Sequence, residues 1–258
     1  MEKKVQPVTI VVGVVIGVLV IGGAALLSNG DYDGRGGDAA SSTPAATAPA
    51  QQQGAGAQPQ QQPSQAQNEE RDAFLLGLAK RDPKDPAAVG DVDAPVVMIE
   101  WADYRCPYCS LFNEQVLPEL QRHVDDGTLR IEFRDFATFG DESVYAAVAA
   151  RAAGHQGKQV EFMDALFAAL PNEGHPPVDE AVVTKVAKQV GVPDMARFTA
   201  ELADEDLRNA VEADTYRASQ MGISSVPAFV VNTQYLAGAQ PAETFTTVIE
   251  AELAKANP

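Results

Sequence analysis

Cysteine and histidine are scarce in this chain, with two of the first and three of the second in 258 residues. A structural zinc site needs four ligands, usually as two close pairs of Cys or His. His123, His155 and His175 stand singly, far apart in sequence, so no metal centre is expected and the histidines are read as surface residues without a role. Basic clusters are missing too. The net charge is −17, and residues 69–258 hold 16 Lys and Arg against 32 Asp and Glu. That balance argues against nucleic-acid binding, and the acidity is read as a solubility feature.

A further absence divides the chain. Residues 29–68 contain no Leu, Ile, Val or Phe, and are rich in Ser, Thr, Pro, Ala, Gly and Gln. Nothing there can build a core, so the composition predicts a disordered spacer. A flexible segment of that length spans about 35 Å root-mean-square. Before it, Val8–Leu27 is apolar apart from Thr9 and small glycines, long enough as a helix to cross the roughly 30 Å core of a bilayer. A cleaved signal peptide has a shorter apolar region, about 7–15 residues, ending in a small-x-small site. Ala24-Ala25-Leu26-Leu27 is a poor match, and no lipoprotein cysteine follows. The expected organisation is a cytoplasmic tail at 1–6 carrying Lys3 and Lys4, a transmembrane anchor at 7–28, the spacer at 29–68, and an extracytoplasmic domain at 69–258.

Within that domain, apolar spacing predicts a leading helix over 69–80 and a buried strand over 96–99. A helix follows over 110–124 with a kink at Pro118, then an alternating strand over 129–136. Residues 141–221 read as five successive helices, at 144–153, 159–170, 179–190, 194–203 and 206–220. Strand character returns at 228–232 and 235–236, before a last helix near 243–254. The outline is βαβ, a helical block, then ββα, which predicts an α/β sheet with helices on its faces.

Both cysteines lie in Trp101-Ala-Asp-Tyr-Arg-Cys-Pro-Tyr-Cys109, between the first strand and the next helix. A disulfide closing so short a loop constrains the unfolded chain least, so a purely structural staple is weakly motivated. A redox role has a positive case. At a helix start, unpaired backbone N–H groups and the helix dipole favour a thiolate, and Pro107 is tolerated because its missing N–H has no helical partner there. Cys106 is expected to be the exposed, reactive sulfur and Cys109 the more buried, resolving one. Arg105 either supports the thiolate or points into solvent. Glu100, after four apolar strand residues, is costly to bury in charged form and should have a raised pKa, which suits a proton acceptor for Cys109.

The strings VVMIEWADYRCPYC and GISSVPAFVVN resemble the DsbA-like thiol–disulfide oxidoreductases of the thioredoxin superfamily, over about residues 85–258. The resemblance implies a thioredoxin-like fold with a helical insertion at about 141–221. It also implies a cis-proline loop at Val226-Pro227 that faces the cysteines and pairs with substrate backbone, and a buried acid at Glu100. No bound cofactor is implied, because the cysteines carry the electrons. The implied partners are exported proteins with cysteine thiols and a membrane reoxidising protein of the DsbB or vitamin-K-epoxide-reductase type. Valine before the proline is similar to the oxidase members, whereas isomerases more often have threonine. Tyr108 departs from the histidine of the strongly oxidising DsbA, and Pro-Tyr also occurs in glutaredoxins and in an isomerase relative. The expected function is therefore a disulfide oxidase, with a reductase or isomerase at the same location, or a non-catalytic peptide-binding chaperone, as the alternatives.

Overall fold

The computed structural model describes residues 64–256. The expected cytoplasmic tail, anchor and spacer up to residue 63 lie outside the described residues. Among the described residues no helix is long and apolar enough to cross a membrane.

The leading helix α1 runs Gln65–Leu76, four residues earlier than apolar spacing suggests. Its start is set by a capping box: the Ser64 side chain accepts from the Gln67 backbone N–H, and the Gln67 side chain accepts from the Ser64 N–H. Gly77 then caps its end. The segment that follows is fastened to the sheet by Glu132. This fully buried carboxylate accepts the Lys80 and Arg81 backbone N–H groups and pairs with Arg130 and Arg134.

Five strands form one sheet in the order β1-β3-β2-β4-β5. Strand β2 (Val96–Ala102) is central; it pairs in parallel with β3 (Leu129–Asp135) and antiparallel with β4 (Ala228–Val231). The edges are β1 (Ala88–Val89), antiparallel to β3, and β5 (Gln234–Ala237), antiparallel to β4. A two-residue turn joins β4 to β5, with Asn232 at φ +47°. Its side chain accepts from Val97 N–H and donates to the Pro95 carbonyl, which ties the hairpin back to the start of β2. The apolar run of β2 is buried on both sides, as expected. Met98 faces the larger core with Phe112, Phe162 and Phe229, while Val97, Ile99 and Trp101 face a smaller cluster with Ala218, Ile223 and Val230.

After β2 the chain forms a short helix, α2 (Pro107–Leu111), a π-helical turn (Phe112–Val116) and α3 (Leu117–Asp125). The expected single helix with a kink is thus three pieces starting three residues earlier. The π turn sits just ahead of Pro118, whose ring cannot continue an α-helical hydrogen-bond ladder. Phe112 in that turn packs against Phe229 and Phe245, with ring centroids 4.4 and 5.1 Å away. The helical block is α4 (Asp141–Gly154), α5 (Gln159–Ala169), α6 (Glu180–Gln189), α7 (Met195–Glu201) and α8 (Glu205–Gln220). The last helix, α9 (Ala242–Ala256), lies against β2, β4 and α3. The five helices α4 to α8 lie between β3 and β4 in the chain.

Candidate functional site

Strand β2 ends at Ala102, and Asp103, at 1 % exposure, turns the chain there. Its carboxylate accepts the Arg105 N–H at 2.8 Å, the Thr138 N–H at 2.7 Å, the Phe139 N–H at 3.2 Å and the Ser143 hydroxyl at 2.9 Å. These bonds join the approach to the cysteines with the segment after β3 and with α4. Sequence reading missed this residue. A carboxylate two residues before an N–H it accepts is a local signal for such a turn, but the other three donors lie more than thirty residues away.

Cys106 is the N-cap of α2, with extended backbone, and Pro107 is the first helical residue. The Cys106 carbonyl accepts the Cys109 and Ser110 N–H groups, each at 3.1 Å, which closes the first turn. The Cys106 pKa is lowered to about 7, chiefly by the hydrogen bond from the Cys109 thiol and further by the Cys109 and Tyr108 backbone N–H groups; burial and the Asp103 carboxylate oppose the shift. Cys109 has no exposure, and burial, together with its bond to Cys106, pushes its own thiol well above the ordinary range. The two sulfurs therefore differ in acidity.

Cys106 is only 3 % exposed rather than open to solvent. The loop before β4 lies over it, with the Val226 carbonyl 3.6 Å from its sulfur, and the Val226–Pro227 bond is cis. Contact across 120 residues of chain is invisible to local pattern. Arg105 is likewise neither a thiolate partner nor a solvent-facing residue: its guanidinium donates to the carbonyls of Phe139, His175 and Pro176 and pairs with Glu142. The Tyr108 ring is 62 % exposed. It is the Tyr108 backbone, not its phenol, that supports the Cys106 sulfur.

Glu100 lies on β2 opposite Phe133 and Phe229, at 1 % exposure. Its Oε2 is the only buried side-chain oxygen or nitrogen without a hydrogen-bond partner among the described residues. Its pKa is raised to about 8, first by burial, then by Asp164 and by Cys106. The same group raises the Cys109 pKa. The structure thus brings together Glu100, Cys106, Cys109, Val226 and Pro227 from three separate parts of the chain.

The histidines do not join them. His123 is buried on α3 rather than at the surface, His155 pairs with Glu201, and His175 stacks on Phe139. Among the described residues no cluster of His, Cys, Asp or Glu could hold a metal ion.

Two thiols of unequal acidity can exchange with a disulfide through Cys106 and resolve through Cys109. The alkylation rate of Cys106 by iodoacetamide should rise with pH and reach half its maximum near the thiol pKa of about 7. Intact mass should show a single label per native chain. A midpoint near the free-thiol value of about 8.5 would overturn the assignment.

The family described as thioredoxin matches residues 82–251. The chain is 27% identical over 149 residues to a probable disulfide bond formation protein D of Bacillus cereus, covering 56% of this chain and 69% of that protein. It is 26% identical over 173 residues to disulfide bond formation protein D of Bacillus subtilis, covering 66% of this chain and 78% of that protein. Among solved structures, oxidised BdbD of Bacillus subtilis aligns with a TM-score of 0.62 at 26% identity, over 67% of this chain and 95% of that one. Wolbachia pipientis alpha-DsbA1 has a similar fold, with a TM-score of 0.59 at 24% identity, over 70% of this chain and 97% of its own.

Proposed function

The chain belongs to the thioredoxin family, in its DsbA-like branch, and from that premise we propose that it is an extracytoplasmic disulfide oxidase held at the membrane. At the coarser level it is a thiol–disulfide oxidoreductase. The observation that carries the reading is the Cys106 sulfur, set at a helix start with a pKa lowered to about 7 and facing the Val226–cis-Pro227 loop. The names of the Bacillus relatives support the oxidising direction.

In that direction the pair begins as a disulfide. A client thiolate attacks the Cys106 sulfur; the client–Cys106 bond forms, the Cys106–Cys109 bond breaks, and Cys109 leaves as a thiolate. Glu100, mostly protonated at neutral pH given its raised pKa, stands ready to give Cys109 its proton. A second client thiolate then attacks the client sulfur of the mixed disulfide and expels the Cys106 thiolate. The client has lost two electrons and the pair has gained them. Val226 and Pro227 serve as the docking edge for the client backbone.

Regeneration requires a membrane oxidant, of the DsbB or vitamin-K-epoxide-reductase type in this reading. The apolar run at 8–27 serves as the tether that keeps the domain beside such a partner and beside exported clients. The reduction potential of the pair against glutathione tests the direction. A value between the roughly −270 mV of thioredoxin and the roughly −120 mV of the strong oxidant DsbA is expected, since a thiol pKa of about 7 stabilises the thiolate less than DsbA's of about 3.5; one at or below about −270 mV would make the protein a reductant.

A further inference from the structure

The residues on either side of the cysteine pair are both turned towards the same connection in the helical insertion. Arg105, just before Cys106, spends its guanidinium on the Pro176 carbonyl at 2.7 Å, the His175 carbonyl at 2.8 Å and the Phe139 carbonyl at 2.7 Å. A fourth contact, to Glu142 Oε2 at 2.7 Å, reaches the first turn of α4. Ser110, just after Cys109 and 3 % exposed, directs its hydroxyl at the Asn172 side-chain oxygen, with the Phe167 carbonyl 3.4 Å away. Asn172 in turn donates to Glu114 in the π turn at 3.0 Å. His175 closes the ring from the other side, its Nδ1 3.2 Å from the Arg105 carbonyl.

These contacts fall on the first turn of the helical run over 107–125, which the π turn interrupts directly after Leu111. The backbone N–H groups that face the Cys106 sulfur belong to that first turn. We propose that Arg105 and Ser110 are positioning residues, a two-ended clamp by which the α5–α6 connection of the helical insertion holds the Cys-Pro-Tyr-Cys turn in the geometry that thiol–disulfide exchange requires. Neither side chain reacts. Each ties one end of the turn to residues 167–176, so the insertion acts on the redox pair through backbone order.

The inference rests on the exchange activity proposed above. The test measures the equilibrium in which two glutathione thiols reduce the disulfide of the pair, giving two cysteine thiols and one oxidised glutathione. In the full chain at pH 7, Arg105→Ala and Ser110→Ala should each shift this equilibrium about two-fold towards the protein disulfide, or about 8 mV. A thiolate half populated at pH 7 falls to about a tenth when its pKa rises by one unit, so exchange at pH 7 should slow about five-fold. Arg105→Lys should recover little of either change, because an ammonium cannot span three carbonyls as a guanidinium does. Recovery by Lys together with an unmoved Ser110→Ala would assign the effect to charge and overturn the clamp. Should Arg105→Ala fail to fold, Ser110→Ala, which deletes one hydroxyl, decides alone: a shift supports the clamp and none overturns it. A wild-type protein without a reversible couple would remove the proposed activity itself. A reversible wild-type couple with unmoved variants would remove only the clamp.

Discussion

Replacing Cys109 by serine should convert the protein from a turnover catalyst into a covalent trap. In the variant, the Cys106 thiolate can still attack a disulfide-bearing client: the Cys106–client bond forms and the other client sulfur leaves as a thiolate. The thiol that would break the mixed disulfide is gone, so the adduct accumulates. Serine is the informative replacement because the hydrogen bond from Cys109 is the largest cause of the low Cys106 pKa. A serine hydroxyl can still donate where alanine cannot, so Cys109→Ala should trap more slowly at neutral pH. Cys106→Ser should form no adduct, because the remaining thiol has no exposure and its pKa is pushed well up. Turnover should fall by a factor on the order of 10⁴ or more in Cys106→Ser, the scale on which losing a covalent nucleophile acts. Non-reducing electrophoresis and intact mass, after incubation with a disulfide-containing peptide, read both results. Turnover surviving in Cys106→Ser would overturn the assignment of the two sulfurs.

The parts of this protein that were legible in its sequence are those written in local pattern. The apolar run from Val96 marked the central strand, because only a strand buried on both faces tolerates one. The helices of the insertion were bounded by Gly and Pro breaks, and Cys106 and Cys109 stood out by their scarcity. What escaped was either too short or too distant. Strand β1 has two residues and exists only because Ala88 and Val89 pair with β3. The start of α1 depends on a Ser64–Gln67 box in a segment whose composition reads as spacer. The near-complete cover of Cys106, and the work done by Asp103, Arg105 and Ser110, come from contacts with residues tens of positions away. Glu100 lies between the two cases. Its burial and raised pKa follow from its place on the strand, but its missing hydrogen-bond partner depends on how the insertion packs.

That missing partner leads to the second large effect, in which stability and catalysis move in opposite directions. The Glu100 pKa is about 8 in the fold against 4.5 for the free side chain. Between these values the unfolded chain binds fewer protons here than the folded one, so stability falls as pH rises from about 4.5 through about 8. At pH 7 the destabilisation amounts to about 3 kcal/mol, at roughly 1.4 kcal/mol per pKa unit. Glu100→Leu removes the charge penalty together with the unpartnered oxygen, about 4–6 kcal/mol in all, and should raise the melting temperature at pH 7 by roughly 8–24 °C. At pH 4.5 the gain should shrink to that of the lost orphan oxygen, about 1–3 kcal/mol. Glu100→Gln keeps the shape and removes the titration, so its melting temperature should decline less between pH 5 and 8 than that of the wild type. Both variants should slow the steps in which Cys109 gains or loses a proton, while alkylation of Cys106 persists. Thermal unfolding across pH, beside single-turnover exchange at pH 7, separates the two effects. A variant that left the pH dependence of stability unchanged would show that Glu100 is ionised in the fold. A stabilised variant with undiminished exchange would show that its burial serves no proton transfer. The expected combination, a more stable and slower protein, is the sign of a buried acid retained for chemistry at the expense of the core.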